Sequence, residues 1–184
     1  MSSSDALPLV SARDFRDAVG LFPTGVAIVT ATSASGDRLG ATVSSFSSVS
    51  LEPPLVSFNL SKAAKSFDEW ASAACFAVNL LSENQDDLST RFARSMTDKW
   101  GGITPLQGKM IEAPLLEGAL AWLECSKFAQ YEGGDHLIIL GRILILTRNQ
   151  RASERPLVFF KSRYHRLDAD RARLQENAMW LHGW

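Results

Sequence analysis

The chain has 184 residues, of which 46% are hydrophobic, enough for one well-buried core and short for two domains. A formal net charge of -1 and a pI near 6.3 exclude the basic footprint that DNA or RNA binding needs, so no nucleic-acid partner is expected.

The opening stretch Met1 to Pro8 carries neither the positive n-region nor the apolar h-region of a secretion signal. The longest apolar run, Leu137 to Leu146, is interrupted by Gly141-Arg142 and is too short to cross a bilayer. No membrane association and a cytoplasmic location are therefore expected. The organisation expected is an N-terminal arm over residues 1–10, one domain over 11–167 and a C-terminal helical extension over 168–184.

Ser11-Ala12-Arg13-Asp14 reads as a capping start, after which Phe15, Ala18, Val19 and Phe22 recur at helical spacing; a helix over about 12–20 is predicted. Val26 to Ala31 is a β-branched apolar run, and Ala34-Ser35-Gly36-Asp37 supplies the turn of a hairpin into a Ser-rich strand from Gly40 to the Pro53-Pro54 pair. Leu55 to Leu60 is a third strand. Ser66-Phe67-Asp68-Glu69 and Ser82-Glu83-Asn84-Gln85 fit the S-x-x-E/Q capping box, so two short helices are predicted, with a strand from Cys75 to Leu81 between them. Residues 98–114 have no regular period and read as a long loop. Two long strands, about 115–131 and 135–148, meet at Glu132-Gly133-Gly134-Asp135, and Pro156 to Lys161 is a last short strand. The tail carries Leu174, Ala178 and Leu181 at helical spacing beside Trp180 and Trp184, an apolar face expected to pack on the body of the protein.

Cys75 and Cys125 are far apart with apolar neighbours and read as reduced core thiols. His136, His165 and His182 show no ligand spacing, so no metal site is expected. The stretch Thr42-Val43-Ser44-Ser45-Phe46-Ser47-Ser48 alternates hydroxyls with apolar residues on both faces, and a buried hydroxyl needs a partner. A planar heteroaromatic with a polar edge, such as a flavin ring, suits that surface; a Ser-rich strand end or loop fits it equally well. Ser61, Lys62 and Ser66 lie between a strand end and a capped helix, where unpaired backbone N–H groups attract phosphate, although Ser66 has a complete alternative as a simple cap.

An ordered series of landmarks extends across residues 12–167: Phe22-Pro23-Thr24-Gly25-Val26, the Thr42/Ser44/Ser45 strand ending in Pro53-Pro54-Leu55, Arg91-Phe92-Ala93, Asp98-Lys99-Trp100, Gly118 to Cys125, Gly134-Asp135-His136, and Pro156-Leu157 with Tyr164. In this order they resemble the short-chain flavin reductases, the reductase components of two-component flavin monooxygenases. The resemblance implies a mainly β fold, the antiparallel FMN-binding split barrel, with short rim helices. It also implies a homodimer that binds FMN or FAD, takes a hydride from NADH or NADPH and supplies reduced flavin to a partner oxygenase.

On the same resemblance Thr42, Ser44 and Ser45 line the flavin ring, Ser61, Lys62 and Ser66 hold its phosphate, and Phe92 and Ala93 belong to the flavin site. Tyr164 contacts flavin or nucleotide. His136 takes the catalytic place on the nicotinamide side, where it bonds the nucleotide or assists protonation; the alternative for it is a surface histidine bonded to Asp135. Two other functions compete with free-flavin reduction. One is a reductase whose held flavin passes electrons to a corrinoid or iron acceptor, and the other is a flavin-binding module without turnover.

Overall fold

The computed structural model describes residues 10–95, 98–150 and 155–167. Ser11 opens α1 (Ala12–Val19), its hydroxyl accepting the Asp14 amide at 3.1 Å as the sequence predicts. The chain continues through β1 (Thr24–Gly25), β2 (Ala27–Thr32), β3 (Arg38–Val43), β4 (Ser47–Leu51), β5 (Pro54–Ser61), α2 (Phe67–Ser72), β6 (Cys75–Leu80) and α3 (Asp86–Ala93). After these, β7 (Leu106–Gln107) and β8 (Pro114–Leu115) form a small ribbon. A long hairpin of β9 (Ala121–Gly133) and β10 (His136–Arg148) follows, then a short one of β11 (Leu157–Phe160) and β12 (Arg163–Arg166).

Seven strands make one antiparallel sheet in the order β3-β2-β6-β9-β10-β5-β4. Strand periodicity sends alternate residues inward, so that Ala27, Val29 and Ala31 of β2 meet Val56, Phe58 and Leu60 of β5 in the principal core. Trp70 of α2 enters this core, 2% exposed and edge-on to Phe58 at 6.0 Å. Truncating such a ring to alanine costs about 3–5 kcal/mol. The other side of β2 is covered too, since Ile28 packs with Leu81, Phe92 and Leu116 in a second core beneath α3. Burial on both faces is why residues 26–31 read as one apolar run.

The sheet is split rather than closed. β3 and β4 lie at its two edges although only Ser44-Ser45-Phe46 separates them in sequence. Ser45 bridges the gap: its hydroxyl accepts the Asn59 N–H of β5 at 2.9 Å, just beyond the Ser47–Ser57 pair that ends the β4 ladder. A second sheet, ordered β1-β11-β12, stands beside the barrel.

Several elements depart from the sequence expectation. The Ser-rich stretch is two strands, because its hairpin partner begins only at Ala27, opposite Val43, and the chain must then cross to the free edge of β5. The box expected at Ser66 and Glu69 is absent, as Ser66 makes no side-chain cap bond. α3 starts at Asp86 with Gln85 as its cap; of the second box only the reverse half forms, the Ser82 amide donating to Gln85 Oε1 at 3.0 Å. The expected strand 115–131 is interrupted by Gly118 at φ +80°, and β12 follows β11 where the sequence pattern predicts no strand. The loop 98–114 contains the β7–β8 ribbon and is fastened by Glu124, a 1%-exposed carboxylate that accepts the amides of Lys109, Met110 and Ile111. That makes Glu124 a buried anchor of the loop. The helical reading of residues 168–184 lies outside the described residues, as do most of the N-terminal arm and His182.

Candidate functional site

A cleft of about 1480 Å³ opens between the barrel, α1 and the second sheet. Its floor is β3 with the Ser44-Ser45 crossover and the end of β5. Phe92, Ala93, Arg94, Lys99 and Trp100 form one side, while Ser61, the Ala63–Ser66 segment and the β9–β10 turn with His136 form another. α1 and the Phe159–Ser162 turn complete the wall.

The floor is set by one close approach. A Cβ on Gly40 would lie 2.3 Å from Cε1 of Phe92, so the ring occupies the space that any larger residue would fill. Phe92 then meets Trp100 edge-on at 5.0 Å, and the Arg38 guanidinium lies 6.0 Å from the Trp100 centroid. Lys99 ties this side together: its ammonium donates to the Gly40 carbonyl at 3.0 Å and to the Phe92 carbonyl at 2.9 Å. Burial lowers the Lys99 pKa, because the low-dielectric surroundings disfavour its charge. Thr42 donates its hydroxyl to the Ser89 carbonyl of α3 at 2.6 Å and so already has a partner.

On the opposite side, β10 places His136 across from Ser61 of β5. His136 also pairs with Gly133, which leaves Gly134-Asp135 as a two-residue turn with Gly134 at φ +71°. Asp135 meets His136 Nδ1 at 2.7 Å, and the hydrogen bond from this imidazole, with its charge second, holds the Asp135 carboxyl below the usual carboxylate range. The Ser61 hydroxyl accepts the Ala63 amide at 3.3 Å. Ser44 and Ser66 line the cleft, and among the described residues their hydroxyls have no hydrogen-bond partner.

The lining has an uneven charge. It contains six basic side chains, Arg16, Arg38, Lys65, Arg94, Lys99 and Lys161, against two acidic ones, Glu69 and Asp135. The ion pairs among the described residues are Arg13–Asp17, Lys62–Glu132, His136–Asp135 and Arg166–Glu83, so none of the six cations is neutralised by a carboxylate. α1 contributes an apolar wall: Ala12, Phe15 and Val19 face the cleft, yet no residue of the helix is buried. Two lining residues hold buried polar atoms without a partner, Thr24 Oγ1 and Trp100 Nε1.

Of the residues singled out in the sequence, Thr42, Ser44, Ser45, Ser61, Ser66, Phe92, Ala93 and His136 come together around this cleft. Lys62 and Tyr164 do not. Lys62 is paired with Glu132 on β9, and Tyr164 shares a hydrogen bond of 2.8 Å with Ser89 while lining a separate, smaller cleft. Gly40, Asn59 and the α1 face also line the cleft, and no motif in the sequence marks them. The signal for Gly40 is a glycine inside a strand, which marks a close approach; for α1 it is an apolar stripe lacking a complementary partner nearby.

The flavin reductase like domain family matches residues 19–168 of the chain. A probable flavin reductase of Rhizobium meliloti (strain 1021) is 44% identical over 131 residues, which are 71% of this chain and 42% of that protein. The chain thus spans less than half the length of this relative. The reductase subunit HsaB of a flavin-dependent monooxygenase from Mycobacterium tuberculosis is 33% identical over 88% of this chain and 86% of its own length. Among solved structures, the NADH:FAD oxidoreductase SgcE6 of Streptomyces globisporus, in complex with NAD and FAD fragments, superposes with a TM-score of 0.80 at 35% identity, covering 90% of this chain and all of that one.

Proposed function

The chain belongs to the flavin reductase like domain family, and from that premise we propose that it is an NAD(P)H-dependent flavin reductase that reduces FMN or FAD and supplies the reduced flavin to a partner monooxygenase. The observation that carries this reading is the cleft itself. Six basic side chains without carboxylate partners favour a phosphorylated ligand, hydroxyls and strand ends offer bonds to a polar ring edge, and the apolar wall of α1 suits a ring face. The orphaned Thr24 Oγ1 and Trp100 Nε1 are further groups that a polar ligand would satisfy.

Flavin and nicotinamide themselves supply the hydride acceptor and donor, and the protein holds, orients and shields them. Ser44, Ser45 and the strand bearing Thr42 bound the ring, with Thr42 acting through its bond to α3 rather than through a free hydroxyl. Ser61, Lys65 and Ser66 receive the phosphate. Ala93 gives apolar contact beside Lys99, while Phe92, 1% exposed, supports the cleft floor from behind Gly40. His136 is turned by Asp135 at Nδ1, which leaves Nε2 as the nitrogen for the nucleotide or for a proton. Lys62 and Tyr164 serve as positioning residues, fixing the β9–β10 hairpin and α3 respectively.

The working unit in this reading is the domain over residues 11–167, acting as a homodimer in the cytoplasm, where both nucleotides are supplied. Exposed Val49, Leu51, Leu144 and Leu146 on β4 and β10 support an association of two copies. Anaerobic mixing of the protein and flavin with NADH or NADPH, followed at the oxidised-flavin absorbance, should bleach that band. Its persistence with both nucleotides would refute the enzyme reading. A rate that depends on added flavin supports flavin as substrate, whereas independence supports a held flavin and another acceptor.

A further inference from the structure

Lys99 joins two elements of the cleft and still has a donor left over. Its ammonium carries three N–H groups. One donates to the Gly40 carbonyl at 3.0 Å, on the edge strand β3. A second donates to the Phe92 carbonyl at 2.9 Å, in the last turn of α3, where carbonyls lack an intrahelical donor and a cation is favoured. The third has no partner among the described residues, although Lys99 lines the cleft. No carboxylate neutralises the charge. Asp98, next to it in sequence, instead accepts the amides of Trp100 and Gly101 at 3.0 and 2.7 Å. Arg38 of β3 and Arg94 after α3, the cleft-lining charges of the elements packed against it, are cations too. Trp100 Nε1 is a second buried donor without an acceptor, on a ring held edge-on to Phe92 at 5.0 Å. Two idle donors at consecutive positions of a fastened loop, in a cationic surround, call for an anionic acceptor.

Ser61, Lys65 and Ser66 provide for a phosphate on another side of the cleft, whereas β3, to which Lys99 is bonded, is the strand that bounds the ring. The ring gains charge in the reaction. Hydride transfer moves one hydrogen nucleus and two electrons from nicotinamide to flavin, so the nicotinamide becomes a cation and the flavin ring an anion. We infer that Lys99 is a catalytic residue whose third N–H and positive charge meet the flavin ring and stabilise the negative charge it gains. The inference deepens the flavin reductase reading and rests on it. A half-buried ammonium acts strongly on such a charge because its surroundings screen less than water, and the same burial lowers the Lys99 pKa. The two carbonyl bonds fix the ammonium before flavin arrives, so no reorganisation is needed as the charge develops.

The test compares the binding of oxidised and chemically reduced flavin to the full chain, with no nucleotide present. Riboflavin is the probe beside FMN, because it has the ring and no phosphate. Lys99→Met removes the donor and the charge, whereas Lys99→Gln keeps an amide donor for the two carbonyls and removes the charge alone. Each variant should weaken reduced riboflavin and reduced FMN about tenfold more than the oxidised forms, the loss expected for one charge-assisted bond. Lys99→Arg should restore most of that difference. Should Lys99→Met fail to fold, Lys99→Gln decides the matter, with its melting temperature as the control. Equal losses for oxidised and reduced flavin, or none, would overturn the inference and leave Lys99 a structural clamp. A loss confined to FMN would overturn it in favour of a phosphate contact. Because these titrations contain no nucleotide, they succeed or fail independently of flavin bleaching by NADH or NADPH.

Discussion

Phe92 lies so close above Gly40 that a methyl group on the glycine would come within 2.3 Å of the ring. Because Phe92 is 1% exposed and held edge-on by Trp100, it has little room to yield. Gly40→Ala should therefore destabilise the domain by about 1–3 kcal/mol, the usual cost of overpacking a core. Thermal unfolding checks this. Adding Phe92→Leu should recover part of the loss, and a double-mutant cycle that finds strict additivity would show that the two residues are not coupled.

Ser66 separates two roles that its position alone would confuse. A capping serine contributes about 1 kcal/mol, but Ser66 makes no cap bond. Ser66→Ala should thus change stability by less than about 0.5 kcal/mol while weakening FMN by roughly tenfold through loss of a hydroxyl to phosphate. Denaturant melts and flavin fluorescence titration measure the two quantities. A stability loss with unchanged FMN affinity would remove Ser66 from the phosphate site.

The Asp135–His136 pair makes a pH prediction with a definite sign. The folded-state pKa of Asp135 is depressed, so the contact is present above the ordinary value of 3.8 and is lost as pH falls through the lower folded value. Carboxyl NMR should place the Asp135 midpoint below 3.8 in the native protein, and His136→Ala should move it up towards that value. The same variant should lower kcat more than it weakens flavin binding, provided the fold is intact.

The thiols should be inert while the protein is folded. Burial, with the Glu124 carboxylate second, pushes Cys125 up to about 12, and burial followed by Glu112 raises Cys75. A disulfide reagent at neutral pH should react slowly with the native protein and rapidly with both cysteines in denaturant. Fast labelling of native Cys125 would contradict the packing around β6 and β9, whereas Cys75, which is half-buried rather than the core thiol the sequence predicts, should be the faster of the two.

Much of this molecule was legible in its sequence where local chemistry and tertiary structure agree. Ser11 caps α1 as its pattern requires, and the Gly133-Gly134-Asp135 stretch marks the hairpin that aims His136. The hydroxyls from Thr42 to Ser48 signalled an unusual surface, but not that the strand divides there. That division depends on where β2 begins and on the free edge of β5, neither of which is encoded nearby. Ser66 and Glu69 have the spacing of a capping box, yet the backbone at Ser66 takes φ -101° and ψ +32° and the bond is not made. Lys62 had the type and place of a phosphate ligand, and only the β9 strand, brought alongside by β10, reveals Glu132 as its partner. Tyr164 likewise depends on a hairpin that carries it to Ser89.

The two edges of the seven-stranded sheet also bear on how the chain folds. Hairpins β2–β3, β4–β5, β9–β10 and β11–β12 each close a short loop, whereas the β5–β10 and β6–β9 seams unite segments distant in sequence. Short loops cost little closure entropy and can form early, while the distant seams require the intervening chain to be collected first. The rate-limiting event in refolding should accordingly be the docking of the preformed β4–β5 unit onto β10, with Ser45 fastening Asn59 as the two sheet edges come into place.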